Sequence, residues 1–237
     1  MSTWRSATWG TTEFGARIRK FATAALGEDL QIELLSHRPW SAVWRVQSAS
    51  VTAFAKQNCP GQAHEARLMA RLATREPDLV VPVLAANSDA DLLLTEDAGP
   101  TMREAGRGGD LELWCELVAR STDLQRSTAE ALDNVGLTAL APVDAPTYVA
   151  DAVGRLAALA EADPRRLDGE IAVRLERLLP TVGDWADELD ALRLPMTLVH
   201  NDLHDANVVP QPGGVRFLDF GDAVLAHPLT NLLVPLR

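Results

Sequence analysis

A dense polar segment that directly follows an apolar run constrains this chain more than any other feature. The run Met196 to His200 is typical of a short strand, and it opens into His200-Asn201-Asp202-Leu203-His204-Asp205-Ala206-Asn207. A second apolar run ends in the same way, at Leu218-Asp219-Phe220-Gly221-Asp222. Asp and Asn are also common turn residues, so two purely structural loops are the alternative. The repeated pattern nevertheless predicts that acidic and amide side chains gather at the ends of two strands.

The residue types in these two segments fit one particular chemistry. Phosphoryl transfer needs a carboxylate that orients the attacking hydroxyl, together with an amide and a carboxylate that hold magnesium. Asp202, Asn207 and Asp219 match that set. The kinase signature places a catalytic Asp five positions before a metal-binding Asn, with a D-F-G triplet downstream, and both features occur here in that order. The competing prediction is a hydrolytic metal site built from His200, Asp202, His204 and Asp219, although these residues lack a recognised ligand spacing.

The first part of the chain helps to separate these two chemistries. Lys56, one of only two lysines, ends the predicted strand Val51 to Lys56. Glu65 stands at helical spacing from Leu68 and Leu72, so its carboxylate is expected on the apolar face of a helix. Removing one partner of a buried ion pair costs about 3–5 kcal/mol, so Glu65 needs a cation and Lys56 is the natural candidate. In kinases such a pair positions the α- and β-phosphates of the nucleotide. The alternative is that Glu65 extends to solvent from a short helix.

The hydrophobic periodicity of the chain predicts an α+β fold of two lobes. We expect a β-rich N-lobe over residues 1–95, a hinge at 96–100 and a mainly helical C-lobe over 101–237, with the site in the cleft between the lobes. The predicted helices cover residues 12–25, 62–75 and 111–132, a segment that opens near Asp144, and a stripe of leucines and an isoleucine over 167–179. The predicted strands cover residues 30–35, 43–47, 51–57, 79–84, 91–95, 196–200, 207–209 and 215–220.

Composition narrows the partners and the compartment. A net charge of −11 argues against a nucleic-acid partner and favours a cationic substrate, although solubility alone also explains it. The chain has no run of about 18 apolar residues and no signal peptide at its start, so we expect a cytoplasmic protein without a membrane partner. Cys59 and Cys115 lie far apart without ligand spacing, which predicts neither a disulfide nor a zinc site.

These motifs together resemble the aminoglycoside phosphotransferase family, a branch of the protein-kinase-like fold. The family's H-G-D-L-H-x-x-N loop is similar to the segment His200 to Asn207, and its later aspartate in an I-D-F context is similar to Leu218-Asp219-Phe220. The resemblance covers essentially the whole chain. It implies these site residues: Asp202 as catalytic base, Asn207 and Asp219 as magnesium ligands, Lys56 on the phosphates and Glu65 as its orienting partner.

The resemblance also implies how the nucleotide is held. Relatives often carry a base-stacking aromatic residue two positions before the lysine, which is Phe54 here, and Phe54 and Lys56 share one face of their strand. The segment Leu94-Thr95-Glu96-Asp97 is then the hinge that reads the base edge, with Glu96 beside the nucleotide. No glycine-rich loop is present, and Ser41 is the residue that would contribute a hydroxyl or backbone N–H to the phosphates. Asn201 stands where the family carries glycine, and Asn231 stands where relatives often have an aspartate.

The function that the resemblance implies is transfer of the γ-phosphate of ATP to a hydroxyl of a small molecule, with Mg²⁺ as cofactor and GTP left open as donor. An aminoglycoside or other cationic metabolite is the first candidate acceptor, and a choline, sugar or amino-alcohol substrate is the second. A non-catalytic nucleotide-binding pseudokinase is the alternative class. Because relatives continue with further helices past the position of Pro228, we expect the C-lobe to be incomplete. The sequence predicts no particular oligomeric state.

Overall fold

The computed structural model describes residues 6–129, 132 and 134–236. The chain folds into the predicted two lobes, the first built around a sheet and the second containing most of the helices. The elements of the first lobe are α1 (Thr12–Leu26), β1 (Gln31–His37), β2 (Ser41–Gln47), β3 (Thr52–Asn58), α2 (Glu65–Arg75), β4 (Val83–Asn87) and β5 (Leu92–Glu96).

The sheet of the first lobe is antiparallel throughout and has the strand order β1-β2-β3-β5-β4. Side chains alternate between its two faces, and β5 shows the division clearly. Leu92 and Leu94 belong to a buried cluster that also contains Ile18 of α1. Leu93 belongs to a second buried cluster with Leu68 of α2, and that cluster continues into the second lobe. The sheet is therefore covered by one helix on each face, and α2 is the helix that also contacts the second lobe.

The second lobe combines long helices with short strands. Its elements are α3 (Leu111–Thr128), β6 (Ala139–Leu140), α4 (Ala145–Ala157), α5 (Gly169–Glu176), α6 (Leu179–Ala191), β7 (Thr197–Val199), β8 (Val208–Gln211), β9 (Gly214–Phe217) and β10 (Val224–Ala226). The strands β6, β10 and β7 form one small sheet, and β8 and β9 form a hairpin. Helix α3 packs on β7 and β9, while α4 packs against α5 and α6. The predicted polar segments follow β7 and β9, so both lie at strand ends as expected.

The predicted strand over residues 79–84 is wrong in an informative way. Regular pairing in the first sheet begins only at Val83, because Pro82 has no N–H to continue a ladder. The residues before it pair with the second lobe: the Phe217 N–H donates to the Leu79 carbonyl (2.8 Å), and the Val81 N–H donates to the Phe217 carbonyl (3.1 Å). These bonds attach the hairpin that precedes Asp219 to the first lobe.

Other differences concern the helices of the second lobe. The apolar stripe over 167–179 is divided between α5 and α6, with Pro180 in the first turn of α6, and Ile171 and Leu178 are exposed. Helix α3 ends at Thr128, and residues 130 and 131 of the longer predicted helix lie outside the described residues. Strands β6 and β10 were not predicted. Within the described part of the chain, no helix has both the length and the apolar character needed to span a membrane.

Candidate active site

Lys56 lies where the two lobes meet and pairs with a carboxylate from each. Its Nζ is 2.6 Å from Glu65 Oε2 and 2.6 Å from Asp219 Oδ1. Glu65 is the first residue of α2 and only 1% exposed, so its carboxylate is buried on the apolar face as predicted. The expected pairing of Lys56 with Glu65 is therefore present. The second contact, to Asp219, brings the predicted metal ligand to the same cation.

The charges in this cluster stabilise one another. Burial alone would lower the pKa of Lys56, but the two carboxylates outweigh it and raise that pKa, so the ammonium stays protonated. Burial would likewise raise the pKa of Asp219, and the Lys56 charge more than offsets this and lowers it. Lys56 and Asp219 therefore form an ionised pair at neutral pH, with a preformed positive charge beside an anionic oxygen.

A cleft of about 560 Å³ opens beside this cluster, and most of the predicted nucleotide residues line it. Phe54, Lys56, Glu65, Glu96 and Asp219 all contribute to its wall. The apolar part of the lining comes from both lobes and includes Val43, Met69, Val81, Leu93, Val209 and Leu218. A largely apolar slot with a few charged groups in its wall suits a flat ring carrying phosphates.

Two predicted nucleotide contacts need refinement. Ser41 does not line the cleft, although Val43 on the same face of β2 does; the Ser41 carbonyl accepts the Arg38 N–H in the turn before β2. In the hinge, the N–H of Glu96 donates to the Pro82 carbonyl and the N–H of Asp97 donates to the Thr52 carbonyl, both at 2.9 Å. A base edge would therefore have to meet other backbone groups of this segment.

The loop after β7 brings Asp202 and Asn207 together. Asn207 Nδ2 donates to the backbone carbonyl of Asp202 (2.8 Å) and to its Oδ2 (3.2 Å), and His204 Nε2 lies 3.3 Å from the same Oδ2. The other carboxylate oxygen of Asp202 stays available, and this side chain is 42% exposed. The Leu218 N–H donates to the Asn207 carbonyl (3.1 Å), which sets the loop beside Asp219.

The residues present fit a magnesium ion. Because the amide nitrogen of Asn207 is used by Asp202, its amide oxygen faces away from that carboxylate, an assignment fixed by the hydrogen-bond network. Asp219 adds a carboxylate that is 44% exposed on the cleft side. Amide and carboxylate oxygens are hard ligands suited to Mg²⁺, which commonly takes one or two protein ligands plus phosphate oxygens.

The competing hydrolytic metal site is not supported. Among the described residues, no group of three or more His, Cys, Asp or Glu side chains is arranged to hold a metal ion. His200 is buried, its Nε2 bonds to the Leu218 carbonyl (2.9 Å), and burial lowers the pKa of its imidazole. His200 therefore anchors the strand end before Asp219 as a neutral side chain.

Backbone conformation explains one departure from the family pattern, and a hydrogen bond explains the other. Asn201 has φ 64° and Asp219 has φ 62°, both in the left-handed region, where Asn and Asp are the best tolerated residues after glycine. Asn201 therefore fits a position that would otherwise favour glycine. Asn231 can stand in the place of an aspartate, because its Oδ1 accepts the backbone N–H of His200 (3.0 Å) as a carboxylate oxygen would.

Several site residues were missed by the sequence reasoning. Asn58 Nδ2 donates to Glu65 Oε2, Gln62 Nε2 donates to Asp222 Oδ1 (2.9 Å), and His64 Nε2 bonds to the Phe220 carbonyl (3.2 Å). All three lie between the last residue of β3 and the start of α2, and Gln62 and His64 hold the loop that follows Asp219. Only Asn58 carried a signal, because it shares a strand face with Lys56 two residues earlier.

A second cavity has a volume of about 600 Å³. Its wall includes Asn201, the residue directly before Asp202. Its wall is formed largely by the segment that leads into α4, including Asp144, by α4 itself, including Tyr148 and Asp151, and by the chain after β10. Tyr148 is 55% exposed. The cavity combines an apolar floor with an aromatic ring and two carboxylates.

Comparison with known proteins gives a consistent result. Residues 33–234 match the sequence pattern of the phosphotransferase enzyme family. No curated protein matches the chain. Among solved structures, a spectinomycin phosphotransferase in complex with ADP and spectinomycin is similar with a TM-score of 0.56 at 12% identity, covering 92% of this chain and 72% of the other.

Two further structures extend this likeness. A choline kinase from Streptococcus pneumoniae has a TM-score of 0.63 at 14% identity, covering 95% of this chain and 76% of that one. A thermostable mutant of an aminoglycoside phosphotransferase, in a ternary complex with ADP and hygromycin B, has a TM-score of 0.55 at 18% identity, covering 92% and 74%. At these identities the likeness shows the fold, which is that of aminoglycoside phosphotransferases and choline kinases.

Proposed function

Since the chain belongs to the phosphotransferase enzyme family, and is thus a small-molecule phosphotransferase, we propose that it moves the γ-phosphate of ATP to a hydroxyl group of a cationic small molecule. We also propose the lobe boundaries given above, with residues 96–100 as the hinge. The single observation that carries the proposal is the position of Lys56, held between Glu65 and Asp219 in the wall of a largely apolar cleft.

The first part of the proposal concerns the nucleotide. Phe54 and Lys56 lie two residues apart on one face of β3 and both line the cleft, so a base stacked on Phe54 would direct its phosphates toward Lys56. Solved relatives hold ADP, which supports a nucleotide in this cleft. We assign the magnesium ion to Asn207 and Asp219, where it would neutralise charge on the transferred phosphate.

The second part concerns proton transfer. Oδ2 of Asp202 is engaged by Asn207 and lies beside His204, so the carboxylate has a fixed orientation. Its other oxygen is then the acceptor for the proton of the attacking hydroxyl. Asp205 is a poorer candidate base, because the Arg103 guanidinium bonds it (2.6 Å and 2.9 Å) and holds the pKa of Asp205 below its usual range.

The third part concerns the acceptor. We propose that it occupies the second cavity, because Asn201 in its wall directly precedes Asp202. Asp144, Asp151 and the exposed ring of Tyr148 would attract an amine or quaternary ammonium group. The similar structures include a choline kinase and complexes with spectinomycin and hygromycin B, so both amino-sugar and choline-like acceptors belong in the first screen.

The test is an ADP-release assay with ATP and with GTP, run against aminoglycosides, choline-like amines, amino alcohols and sugars. We expect acceptor-dependent release of ADP with at least one cationic acceptor, and direct phosphorylation of that acceptor by mass spectrometry. Nucleotide binding without transfer to any acceptor in the panel would favour the pseudokinase alternative. Absence of nucleotide binding with magnesium present would refute the proposal.

A further inference from the structure

We propose that Asn58 is a positioning residue that holds the Glu65 carboxylate against Lys56, and so fixes the point at which Lys56 presents its charge. The inference rests on the proposed phosphotransferase function and deepens it. Asn58 is neutral and does not line the cleft. Through Glu65 it would nevertheless control the position of Lys56, the residue proposed to contact the phosphates.

The contacts place Asn58 directly behind the ion pair. Asn58 Nδ2 donates to Glu65 Oε2 at 2.5 Å, and the same oxygen is 2.6 Å from Lys56 Nζ. Asn58 and Lys56 reach one carboxylate because they lie two residues apart on β3. Glu65 has a flexible side chain, and a charge-assisted hydrogen bond of this kind restricts it to one rotamer.

Restricting Glu65 matters because Lys56 has a second carboxylate within reach. Asp219 Oδ1 is also 2.6 Å from Lys56 Nζ, but Asp219 is the proposed magnesium ligand and belongs to the other lobe. If the Glu65 side chain adopted another rotamer, Asp219 alone would set the position of the Lys56 ammonium. Asn58 therefore ties Lys56 to the first lobe, independently of the metal ligand.

The environment of Asn58 argues against a role in stability. Asn58 is 3% exposed, and its Oδ1 is buried without a hydrogen-bond partner among the described residues. A buried unpaired carbonyl is unfavourable, so this oxygen does not stabilise the fold. The one side-chain hydrogen bond that Asn58 donates, within the part of the chain described, goes to Glu65. The benefit of the amide therefore lies at the site.

The chain offers a matched control in Gln57. This residue is also buried, at 6% exposed, and its Oε1 is also unpaired within the described residues. Its amide nitrogen bonds to the backbone carbonyl of Asn58 (3.1 Å), and strand alternation directs it to the opposite face from Glu65. Asn58→Leu and Gln57→Leu thus remove the same chemical group at the same depth, but only the first touches Glu65.

The first measurement compares stability with kinetics. We expect Gln57→Leu to keep the melting temperature, and Asn58→Leu to remain folded at the assay temperature although it loses a hydrogen bond to a buried carboxylate. In Asn58→Leu alone, kcat/KM for ATP should fall about tenfold, the effect of losing one hydrogen bond to a charged group, while KM for the acceptor stays unchanged. Asn58→Asp, which keeps the shape but puts a second carboxylate beside Glu65, should lose more and serves if the leucine variant does not fold.

The second measurement does not depend on turnover. The chain has two lysines, and Lys20 is exposed. Acetylation by a small reagent, read by mass spectrometry, therefore reports the protection of Lys56 against Lys20 as an internal reference. We expect Lys56 to be labelled several-fold faster in Asn58→Leu than in the wild type or Gln57→Leu, because a looser ion pair exposes the amine more often.

The two measurements separate the possible failures. Unchanged kcat/KM for ATP and unchanged Lys56 protection in Asn58→Leu would overturn the positioning role. Equal losses in Gln57→Leu would also overturn it, since they would indicate a general packing effect. If the wild type transfers phosphate to no acceptor but Asn58→Leu still exposes Lys56, the proposed function fails while the positioning of Glu65 stands.

Discussion

The cleft beside Lys56 and the cavity beside Tyr148 have similar volumes, about 560 and 600 Å³, but their walls are built differently. In the cleft, the charged residues hold one another: Glu65 is buried, and Lys56 bonds a carboxylate from each lobe. In the cavity, Tyr148 is 55% exposed. The cleft proposed for the nucleotide is thus held together by its own ion pairs, whereas the cavity proposed for the acceptor keeps Asp144, Tyr148 and Asp151 exposed to solvent.

This contrast indicates where the energy of each interaction goes. A preorganised charge needs no rearrangement when phosphates arrive, so most of its interaction energy can act on the transferred group. An exposed aromatic ring loses side-chain freedom when it orders on a ligand, so each contact contributes less. We therefore expect large effects from substitutions around the cleft and small, acceptor-specific effects in the cavity.

The largest effect should come from Asp202→Asn, which keeps the shape of the side chain but removes the proton acceptor. We expect kcat to fall by roughly 10²–10⁴, the usual contribution of a general base, with little change in affinity for magnesium and ATP. Both expectations are checked on one preparation, by measuring kcat and by titrating ATP in the presence of magnesium. Asp205→Asn is the control, because that carboxylate is occupied by Arg103. Near-normal turnover in Asp202→Asn would show that the base lies elsewhere.

Asp219→Asn should fail in the opposite way, by weakening nucleotide binding that depends on magnesium. Residues that merely support a metal ligand contribute about 10–100-fold to metal affinity, so loss of the ligand itself should cost at least that much. Titrating ATP with and without magnesium separates nucleotide binding that depends on the metal from binding that does not. Asp222→Asn, three residues later, is the matched control because its carboxylate bonds Gln62. Equal magnesium dependence in Asp219→Asn and the wild type would contradict the assignment.

Phe54→Ala should weaken ATP binding about tenfold, because stacking of a base on an aromatic ring contributes about 1–3 kcal/mol. The effect should appear as a higher dissociation constant for ATP, with the fold and the KM for the acceptor unchanged. Phe54→Trp keeps an aromatic face and should retain most of the affinity. If the alanine variant binds ATP as tightly as the wild type, Phe54 only fills the cleft wall.

Part of the candidate site could be predicted from the sequence, and part of it could not. The Lys56–Glu65 contact was predictable because a carboxylate on the apolar face of a helix requires a cation, and the proximity of Asp202 and Asn207 was predictable from their fixed spacing. These arguments need only local spacing. Asn58 was missed because its importance depends on burial and on a contact between β3 and α2 that no local pattern encodes.

The helical part of the second lobe was harder for a physical reason. Periodicity shows that one side of a helix is apolar but not whether anything covers it, and Ile171 and Leu178 prove to be exposed. Strands β6 and β10 have only two and three residues, too few to show an alternating pattern. Pro82 was the one signal in the first lobe that should have shortened the predicted strand over 79–84.

The folding stability of the protein should decrease in acid because of His200. Burial lowers the pKa of His200 in the folded state below the ordinary value of 6.5. As the pH falls below 6.5, the unfolded chain takes up a proton that the folded chain does not, so folding stability decreases by up to about 1.4 kcal/mol per pH unit. This contribution is present above pH 6.5 and is lost on acidification.

Denaturant unfolding of the wild type and His200→Gln between pH 7.5 and about 5 tests this linkage. Gln can still donate to the Leu218 carbonyl but does not titrate, so its stability should depend less on pH. His37→Gln is the control, because His37 is exposed. Parallel pH curves for His200→Gln and the wild type would mean that His200 does not carry the acid sensitivity.

Tyr148→Ala should give the smallest effect and the most selective one. A cation over an exposed aromatic ring is stabilised by about 0.5–1 kcal/mol, so KM for a cationic acceptor should rise about two- to fivefold. KM for ATP should not change, because Tyr148 lies in the cavity and not in the cleft. Trp185→Ala removes another exposed ring that lines neither space and serves as control. An equal rise in KM for a neutral and a cationic acceptor would indicate that the ring contributes shape and not charge recognition, and a rise in KM for ATP would show that the two spaces are coupled.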